Sequence, residues 1–207
     1  MRTLLRSLVK SFSLSALLLA GFGSAAARAD DAAPGAVTFP LAVPTAPFAT
    51  LPSVLKGARG TVEVRPGART DTMKIRLEGL PPNLDLVVFL TELPLAPFGA
   101  VQYIADMTTD EGGEAEVEVK AILFDAFAFS LPVGARPAFA NTPLDHVVIW
   151  PGNPEQFRAA TGFVNPKTGQ TVVTPFNSDG RAGPAILTDG CNGPLGCTNF
   201  GPGPLTR

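Results

Sequence analysis

Histidine, cysteine, tyrosine and tryptophan are scarce in this sequence. Its 207 residues include one histidine, two cysteines, one tyrosine and one tryptophan. A hydrolytic triad needs a serine or cysteine nucleophile beside a histidine base, and a zinc site needs several His, Cys or carboxylate ligands. After the N-terminal segment the chain offers His146 and three serines, none in a nucleophile-elbow pattern: Ser53, Ser130 and Ser178. We therefore expect no catalytic residues, no bound transition metal and no enzyme activity.

Three further patterns are missing. Lysine and arginine form no cluster and the formal net charge is −2, which argues against nucleic acid or an anionic membrane surface as a partner. Neither a G-x-x-x-x-G-K loop nor a strand-bound G-x-G-x-x-G occurs, so we expect no nucleotide or other cofactor. No stretch after the N-terminus reaches the roughly 18 apolar residues that a membrane-spanning helix needs, and we expect no membrane span.

The N-terminus has the pattern of a secretory signal peptide. Three basic residues precede an apolar run over residues 12–22, and Ala27-Arg28-Ala29 has the small-x-small form that signal peptidase needs. We predict a signal peptide over residues 1–29 and a secreted or periplasmic protein. Cleavage after Ala29 removes four basic residues and no acidic one, which moves the formal net charge from −2 to −6.

The two cysteines, Cys191 and Cys197, lie close together near the C-terminus. Oxidising surroundings let a disulfide persist in an exported protein, so we predict one local bridge between them. Closing so small a loop stabilises a protein by about 2 kcal/mol in the chain-entropy model. The bridge would pin the tail and would not hold the fold together.

Alternation of apolar and polar residues predicts the core of the fold. Residues 60–65 and 71–78 alternate with a period of two, which is typical of strands with one solvated face. Residues 79–83 contain two prolines and Asn83, and they predict a chain reversal. The nearly continuous apolar run over residues 84–93 predicts a central strand covered on both faces. Further strands are predicted at residues 101–107, 115–120, 122–131, 145–150, 170–175 and 183–188.

Two of these strands are expected to pair through a short connection. Residues 108–113 end in two glycines and predict a hairpin that joins strands 101–107 and 115–120 in antiparallel pairing. The strand at 122–131 is expected to place its phenylalanines in or near the core: Phe124, Phe127 and Phe129.

One helix is predicted, and its start and stop signals agree. Asn153 has the N-cap position, Pro154 the first helical position, and Glu155 lies in the first turn. Gln156 is placed for a capping-box contact and Gly162 for the stop.

Short strands with regular turn signals predict an all-β fold. We expect an antiparallel β-sandwich, immunoglobulin-like or similar, with one short helix. A partly closed β-barrel is the alternative. The predicted organisation is a signal peptide over residues 1–29, a Pro/Ala-rich extended lead-in along an edge over 30–59, the sandwich domain over 60–188 and a Gly/Pro-rich tail over 189–207.

We expect the carboxylates to form a solvated surface and not a catalytic or calcium-binding site. Five glutamates occupy the outward positions of their strands: Glu63, Glu78, Glu114, Glu116 and Glu118. We expect them to form a solvated face that discourages aggregation. A glycosidase instead needs two carboxylates that face each other across a cleft. A second set of acidic residues lies near one loop: Asp106, Asp110, Glu111 and Glu114. No EF-hand pattern is present there, and loops favour aspartate for its turn-forming hydrogen bonds, so we expect a turn and not a calcium site.

Aromatic residues supply the candidate binding site. Phenylalanine dominates them and is core material first, whereas binding surfaces prefer tyrosine and tryptophan. Trp150 ends a predicted strand just before the predicted helix, so the candidate binding residues are Tyr103, Asp145, His146 and Trp150. Apolar neighbours favour core packing of Trp150, and a structural, hydrogen-bonded His146, over a binding or catalytic role.

Five short blocks together carry a resemblance to a family. They are Arg69-Thr70-Asp71-Thr72-Met73, Gly79-Leu80-Pro81-Pro82-Asn83, Pro97-Phe98-Gly99, Thr109-Asp110 with Gly113, and Thr174-Pro175-Phe176-Asn177. The set resembles a family of uncharacterised secreted bacterial proteins over residues 60–188. The resemblance implies export and a compact domain, and no activity. The family carries more histidines before the tryptophan that Trp150 matches, so the lone His146 weakens any metal role.

Three functions compete. The chain fits an exported non-catalytic module with a structural or partner-binding role in the envelope or outside the cell, whose partner would be a protein or a small molecule. Self-association through edge strands, such as the lead-in or the tail, is left open. One alternative is a small-molecule or lipid carrier with a Phe-lined pocket. The other is an enzyme of unrecognised type that uses Asp145 and His146 as an acid/base pair. The missing catalytic inventory favours the first.

Overall fold

The computed structural model describes residues 35–45, 50–96, 98–129, 141–164, 184–191 and 201–206. The chain divides into two compact units, Met1–Asp31 and Ala32–Arg207, and all described residues belong to the second. The predicted signal peptide, the predicted strand over residues 170–175 and Cys197 lie outside the described residues. These three predictions stay predictions.

The described residues form ten strands, one α-helix and a 3₁₀ turn at Ser53–Leu55. In chain order they are β1 (Val37–Ala42), β2 (Arg59–Arg65), β3 (Asp71–Glu78), β4 (Asp85–Thr91), β5 (Val101–Thr108), β6 (Ala115–Ala121), β7 (Phe127–Phe129), β8 (Asn141–Pro143), β9 (His146–Pro151), α1 (Pro154–Thr161) and β10 (Leu187–Thr188).

Eight strands form one antiparallel sheet in the order β5-β4-β9-β10-β1-β2-β3-β6, and β7 pairs with β8 separately. The two terminal strands, β5 and β6, contact each other, so the sheet curves into a nearly closed barrel. The predicted all-β class, with antiparallel strands and one short helix, is confirmed. The near closure matches the partly closed barrel that the sequence left open.

Alternating side chains fill the interior on one side of the sheet and meet solvent on the other. In β3, Met73, Ile75 and Leu77 are buried, and Arg76 and Glu78 are exposed, as the period of two predicts. The neighbouring strand β2 buries Val62 and Val64 against them. The outward residues form surface ion pairs that each contribute little to stability: Arg59–Glu78, Lys74–Glu116 and Arg76–Glu116.

Strands β4 and β9 are buried on both faces. Every residue of β9 is buried, and so is every residue of β4 after Asp85. Inward residues such as Val88 and Ile149 join the barrel core, while outward residues such as Phe89 and Trp150 form a second apolar cluster. The central, doubly covered strand predicted at residues 84–93 is thus confirmed.

The predicted hairpin between β5 and β6 is not formed. Strand β5 pairs with β4, and β6 pairs with β3. Their connection is bonded to the 79–84 reversal instead, because Thr109 exchanges backbone hydrogen bonds of 3.0 and 3.1 Å with Leu84 and Asn83. The Thr109 hydroxyl also accepts from the Leu84 N–H and donates to the Pro81 carbonyl. Two loops joined at the barrel end hold β5 and β6 near each other without a ladder between them.

The lead-in does not lie along an edge. Its residues 37–42 form β1, which lies between β2 and β10 inside the sheet. The alternating Phe39 and Leu41 are buried in the barrel core. Strand β10 pairs with β1 at Ala42 alone, so most of β1 is hydrogen-bonded to a neighbouring strand on one side only. Pro40, which has no N–H to donate, is tolerated in such a strand.

Two other predicted strands are shorter than expected. In the 122–131 segment the described strand is β7, and in the 183–188 segment it is β10. Phe127 is 48% exposed, so its predicted place in the core is wrong. Phe124 is half-buried and packs against the barrel core, as expected.

Helix α1 begins and ends where its signals predict. The Asn153 side chain accepts from the backbone N–H groups of Glu155 and Gln156, both at 3.1 Å, and Gly162 ends the helix with a φ of 69°. The predicted capping box is wrong. Gln156 bonds instead to the barrel, where its amide accepts from the Asp85 N–H at 2.6 Å and donates to the Asn83 carbonyl at 2.7 Å. This amide fastens the helix beside the start of β4.

Candidate functional site

The four predicted binding residues do not converge on one site. His146 and Trp150 lie on the same face of β9, but four residues of extended strand separate their Cα atoms by about 13 Å. Asp145 precedes β9 at the His146 end. Tyr103 lies on β5, two strands away from β9 in the sheet. The structure therefore separates a polar cluster around His146 from an aromatic cluster around Trp150.

His146 is buried, at 1% exposure, and hydrogen-bonded through both ring nitrogens. Its Nδ1 lies 3.1 Å from Asp189 Oδ1, and its Nε2 lies 3.2 Å from the Gly201 carbonyl oxygen. Asp189 follows β10 and is also buried; its Oδ2 accepts from the Val147 N–H at 3.3 Å. The ring thus links β9, the turn after β10 and the C-terminal segment.

These contacts restrict the protons of the His146–Asp189 pair. A carbonyl oxygen can only accept, so Nε2 must donate to Gly201. The carboxylate of Asp189 already accepts from the Val147 N–H, which favours a second donor at Nδ1. Both bonds together need two protons shared between the ring and the carboxyl group. The geometry favours a doubly protonated, positively charged ring beside an ionised Asp189.

Burial and charge act in opposite directions on His146. Burial by itself lowers the pKa of the ring, but the hydrogen bond and charge of Asp189, the charge of Asp145 and the Gly201 carbonyl together raise that pKa above its ordinary value. Burial raises the pKa of the Asp189 carboxyl, and the contacts with His146 and Val147 offset that only in part.

Asp145 holds the C-terminal segment from the same place. Its Oδ2 accepts from the Gly203 N–H at 2.8 Å and from the Thr206 hydroxyl, and its backbone carbonyl accepts from the Leu205 N–H at 3.2 Å. A Cβ at Gly203 would lie 2.1 Å from the Asp145 carbonyl oxygen, so the close approach requires glycine. Leu205 is fully buried in the barrel core. We call residues 201–206 the tail segment.

The His146 cluster pairs an imidazole with a carboxylate, as a base and its orienting group are paired in a hydrolytic triad. In a hydrolytic triad, the nitrogen opposite the carboxylate faces the nucleophile. Here that nitrogen, Nε2, faces the Gly201 carbonyl. The predicted acid/base partner, Asp145, lies 3.7 Å from Nε2 and is itself bonded to the tail segment. The cluster therefore fastens the tail segment to the barrel, in agreement with the structural role that the sequence favoured for His146.

Trp150 forms the centre of the aromatic cluster. It is fully buried and packs edge-to-face against Phe89 and Phe98, with ring centroids 5.0 and 4.6 Å apart. Phe89 in turn contacts Tyr103 at 6.3 Å, and Tyr103 is 42% exposed. The predicted core packing of Trp150 is confirmed. Of these four rings, only Tyr103 reaches the surface.

A groove of about 560 Å³ lies over β1, β2 and β3, and is lined by Pro40, Leu41, Ala42, Arg59, Gly60, Thr61, Arg76, Leu77, Glu78 and Glu114. No phenylalanine is among these lining residues. The Phe-lined pocket of the carrier hypothesis therefore does not coincide with this groove.

Two further predictions concern metal and sulfur. Within the part of the chain that the structure describes, no group of three or more His, Cys, Asp or Glu could hold a metal ion. The Asp110 carboxylate accepts from the N–H groups of Gly112 and Glu114 at 2.8 and 2.9 Å, and these hydrogen bonds stabilise the turn.

Cys191 is buried, and the described residues include no free cysteine. Its bridge to Cys197 stays a prediction, because Cys197 lies outside them.

Sequence reasoning missed the partners of both clusters. Asp189 lies 43 residues after His146 and Gly201 lies 55 residues after it, and neither forms part of a recognisable motif. Phe89 and Phe98 were expected only as apolar core material. A burial pattern identifies a strand as covered, but it does not say which residues cover it.

No protein-family model matches the sequence, and no curated protein matches it. The family resemblance drawn from the short sequence blocks therefore stays a prediction. Among the residues that the structure describes, no helix has the length and apolar character needed to cross a membrane.

Proposed function

We propose that the chain is an exported, non-catalytic β-barrel module with a partner-binding role in the envelope or outside the cell. The proposed partner is an extended polypeptide that adds a strand at the start of β5. Export rests on the signal-peptide pattern of residues 1–29. The binding role rests on one observation, the exposure of Val101, Gln102 and Tyr103 at the start of β5.

Strand β5 ends the sheet, and its first three residues are exposed in succession. Val101, Gln102 and Tyr103 are all exposed, with Val101 at 39% and Tyr103 at 42%, whereas Ala105 and Met107 are buried. Successive side chains of a strand point to opposite faces. Three exposed residues in a row therefore leave both faces of this half accessible. Among the described strands, β5 pairs with β4 alone.

The composition of this edge suits strand addition. Residues 98–105 contain no charged side chain, and natural edge strands are usually protected by charge, proline or a covering segment. The other terminal strand, β6, carries exposed Glu116, Glu118 and Lys120. The Tyr103 hydroxyl donates to the exposed Asp106 carboxylate of the same strand at 2.8 Å, so the uncharged part of the edge ends at residue 105. Exposed Val101 and Tyr103 on one face of that part fit a partner strand with apolar residues at alternate positions.

The non-catalytic part of the proposal rests on His146. It is the only histidine of the chain, and histidine is the side chain best suited to acid–base work near neutral pH. Both of its ring nitrogens are engaged by Asp189 and Gly201, and the ring is buried. Because both ring nitrogens are already hydrogen-bonded, a structural role is favoured over the alternative of an Asp145–His146 acid/base pair.

A synthetic peptide with the sequence of residues 100–106 provides a probe for strand addition, since it contains a copy of the edge itself and can pair with β5 as an added strand. Titrated into the ¹⁵N-labelled protein, it is expected to shift the backbone amide signals of residues 101–104. Val101→Lys is expected to weaken this binding at least tenfold, because an added strand would desolvate the new charge. Ile122→Lys is the matched control: Ile122 is an aliphatic residue with 57% exposure outside β5, and its replacement should leave binding unchanged.

Absence of any β5 shift at millimolar peptide, together with a monomer by sedimentation at the same protein concentration, would contradict the strand-addition proposal. Equal weakening by both lysine variants would also contradict it, because the effect would then come from net charge.

A further inference from the structure

Two neighbouring residues of the barrel hold the tail segment by hydrogen bonds, and the tail segment also buries Leu205 in the barrel core. Asp145 accepts from Gly203 and Thr206 through its carboxylate and from Leu205 through its backbone, and His146 donates to the Gly201 carbonyl. The barrel ladders at this place do not involve the tail segment, since β9 pairs with β4 and β10. Opening of the tail segment would therefore take Leu205 out of the barrel core, but it would not break a described strand pair.

We propose that the tail segment, residues 201–206, is a proton-controlled latch that is closed while both ring nitrogens of His146 carry a proton and opens when one proton is lost. This device is independent of strand addition at β5.

The proton requirement follows from the groups that face the ring. When His146 loses one proton, the ring keeps the proton on Nδ1, because the Asp189 carboxylate is a stronger acceptor than a backbone carbonyl. Nε2 then presents a lone pair to the Gly201 carbonyl, and this contact of two acceptors in a buried place is costly. Asp189 is fixed by its own bond to the Val147 N–H. Gly201 belongs to the tail segment, so the tail segment is the part that moves.

Among the residues that the structure describes, the ionisable groups facing the ring are Asp189, in the turn after β10, and Asp145, before β9. Both carry negative charge when ionised, and both favour the charged ring. The raised pKa of His146 fits this direction. Burial of Asp189 raises its own pKa as well, so both shifts favour extra protons in the folded, closed state.

The sign of the pH dependence follows from these directions. A group whose pKa is raised in the folded state contributes stability that is fully present below its unfolded pKa and is lost as the pH rises through its folded pKa. For His146 the ordinary value is 6.5, so the loss begins above pH 6.5. For Asp189 the ordinary value is 3.8, and its contribution is also lost as the pH rises. The closed latch is therefore favoured by acid and weakened by base.

Hydrogen exchange of individual amides tests the latch in the full chain. The reporters are the N–H groups of Gly203 and Leu205, which donate to Asp145, and the reference is the core of β3, represented by Met73 and Ile75. The titration of His146 is followed in the same sample by the signals of its ring. Protection factors of the two reporters are expected to fall by up to about tenfold per pH unit as the ring loses its proton, because opening is then linked to one proton. The β3 amides should keep their protection.

Two results would overturn the latch. One is constant protection of Gly203 and Leu205 through the titration of His146. The other is a parallel fall at Gly203, Leu205 and the β3 amides, which would mean global unfolding. The His146→Gln variant adds a control, since glutamine does not titrate in this range and its tail protection should be independent of pH. The wild-type comparison stands by itself if that variant does not fold.

Discussion

Replacing His146 with alanine is expected to lower the free energy of unfolding by about 3–5 kcal/mol, the cost of removing one partner of a buried ion pair. The variant leaves the buried Asp189 carboxylate without its positive partner and removes the donor to the Gly201 carbonyl. Urea unfolding followed by the fluorescence of Trp150, the single tryptophan, measures the loss.

Arg158→Ala is the matched control for His146→Ala. Arg158 forms an ion pair of 2.8 Å with Glu155, but both side chains are exposed on α1. Exposed pairs contribute about 0–1 kcal/mol, so the control should change stability by less than that. A loss below about 1 kcal/mol for His146→Ala would mean that the buried pair does not hold the tail segment.

Replacing Trp150 with alanine is expected to cost about 3–5 kcal/mol as well, for a different reason. The indole is fully buried between Phe89 and Phe98 on the outer face of β4 and β9. Its removal leaves a cavity and takes away two edge-to-face contacts. Far-UV circular dichroism during urea unfolding measures the loss, since the variant has no tryptophan.

Tyr103→Ala provides the comparison for Trp150→Ala within the same aromatic cluster. Tyr103 contacts Phe89 but is 42% exposed, so its truncation should cost about 1 kcal/mol or less. Similar losses for the two variants would contradict the distinction between a core tryptophan and a surface tyrosine.

Much of the fold follows from local pattern. Strand β3 has the predicted bounds because alternation of apolar and charged residues continues without interruption from Asp71 to Glu78. The continuous apolar run after residue 84 predicts a strand covered on both faces, and β4 is such a strand. The chain reversal predicted at residues 79–83 is formed, and Asn83 has a φ of 53° there. In each case the determining interactions lie within a few residues.

The errors concern interactions between distant parts of the chain. Turn chemistry at residues 108–113 predicts a hairpin, but pairing depends on which strand offers the better surface, and β5 pairs with β4. Gln156 has the spacing of a capping box, yet its amide reaches the backbone of Asp85, 71 residues earlier. Local spacing does not determine such partners.

In the candidate site, too, local features could be predicted from the sequence and contacts between distant residues could not. The apolar neighbours of His146 predict a buried, hydrogen-bonded ring, which the structure has. The identity of its partners could not be predicted, because the barrel brings the turn after β10 and the tail segment to β9 from 43 and 55 residues away. For the same reason the sequence could not separate Trp150 from His146, which lie on one strand but belong to different clusters.

The protonation state of His146 tests most directly whether its ring is structural. The chain contains one histidine, so a long-range ¹H–¹⁵N correlation spectrum of the full chain without a histidine tag assigns its ring without ambiguity. At pH 6 we expect both ring nitrogens to carry protons, with the Nε2 proton exchanging slowly because it is bonded to the Gly201 carbonyl. A neutral ring whose Nε2 exchanges rapidly with water would contradict the structural role and would favour the acid/base alternative.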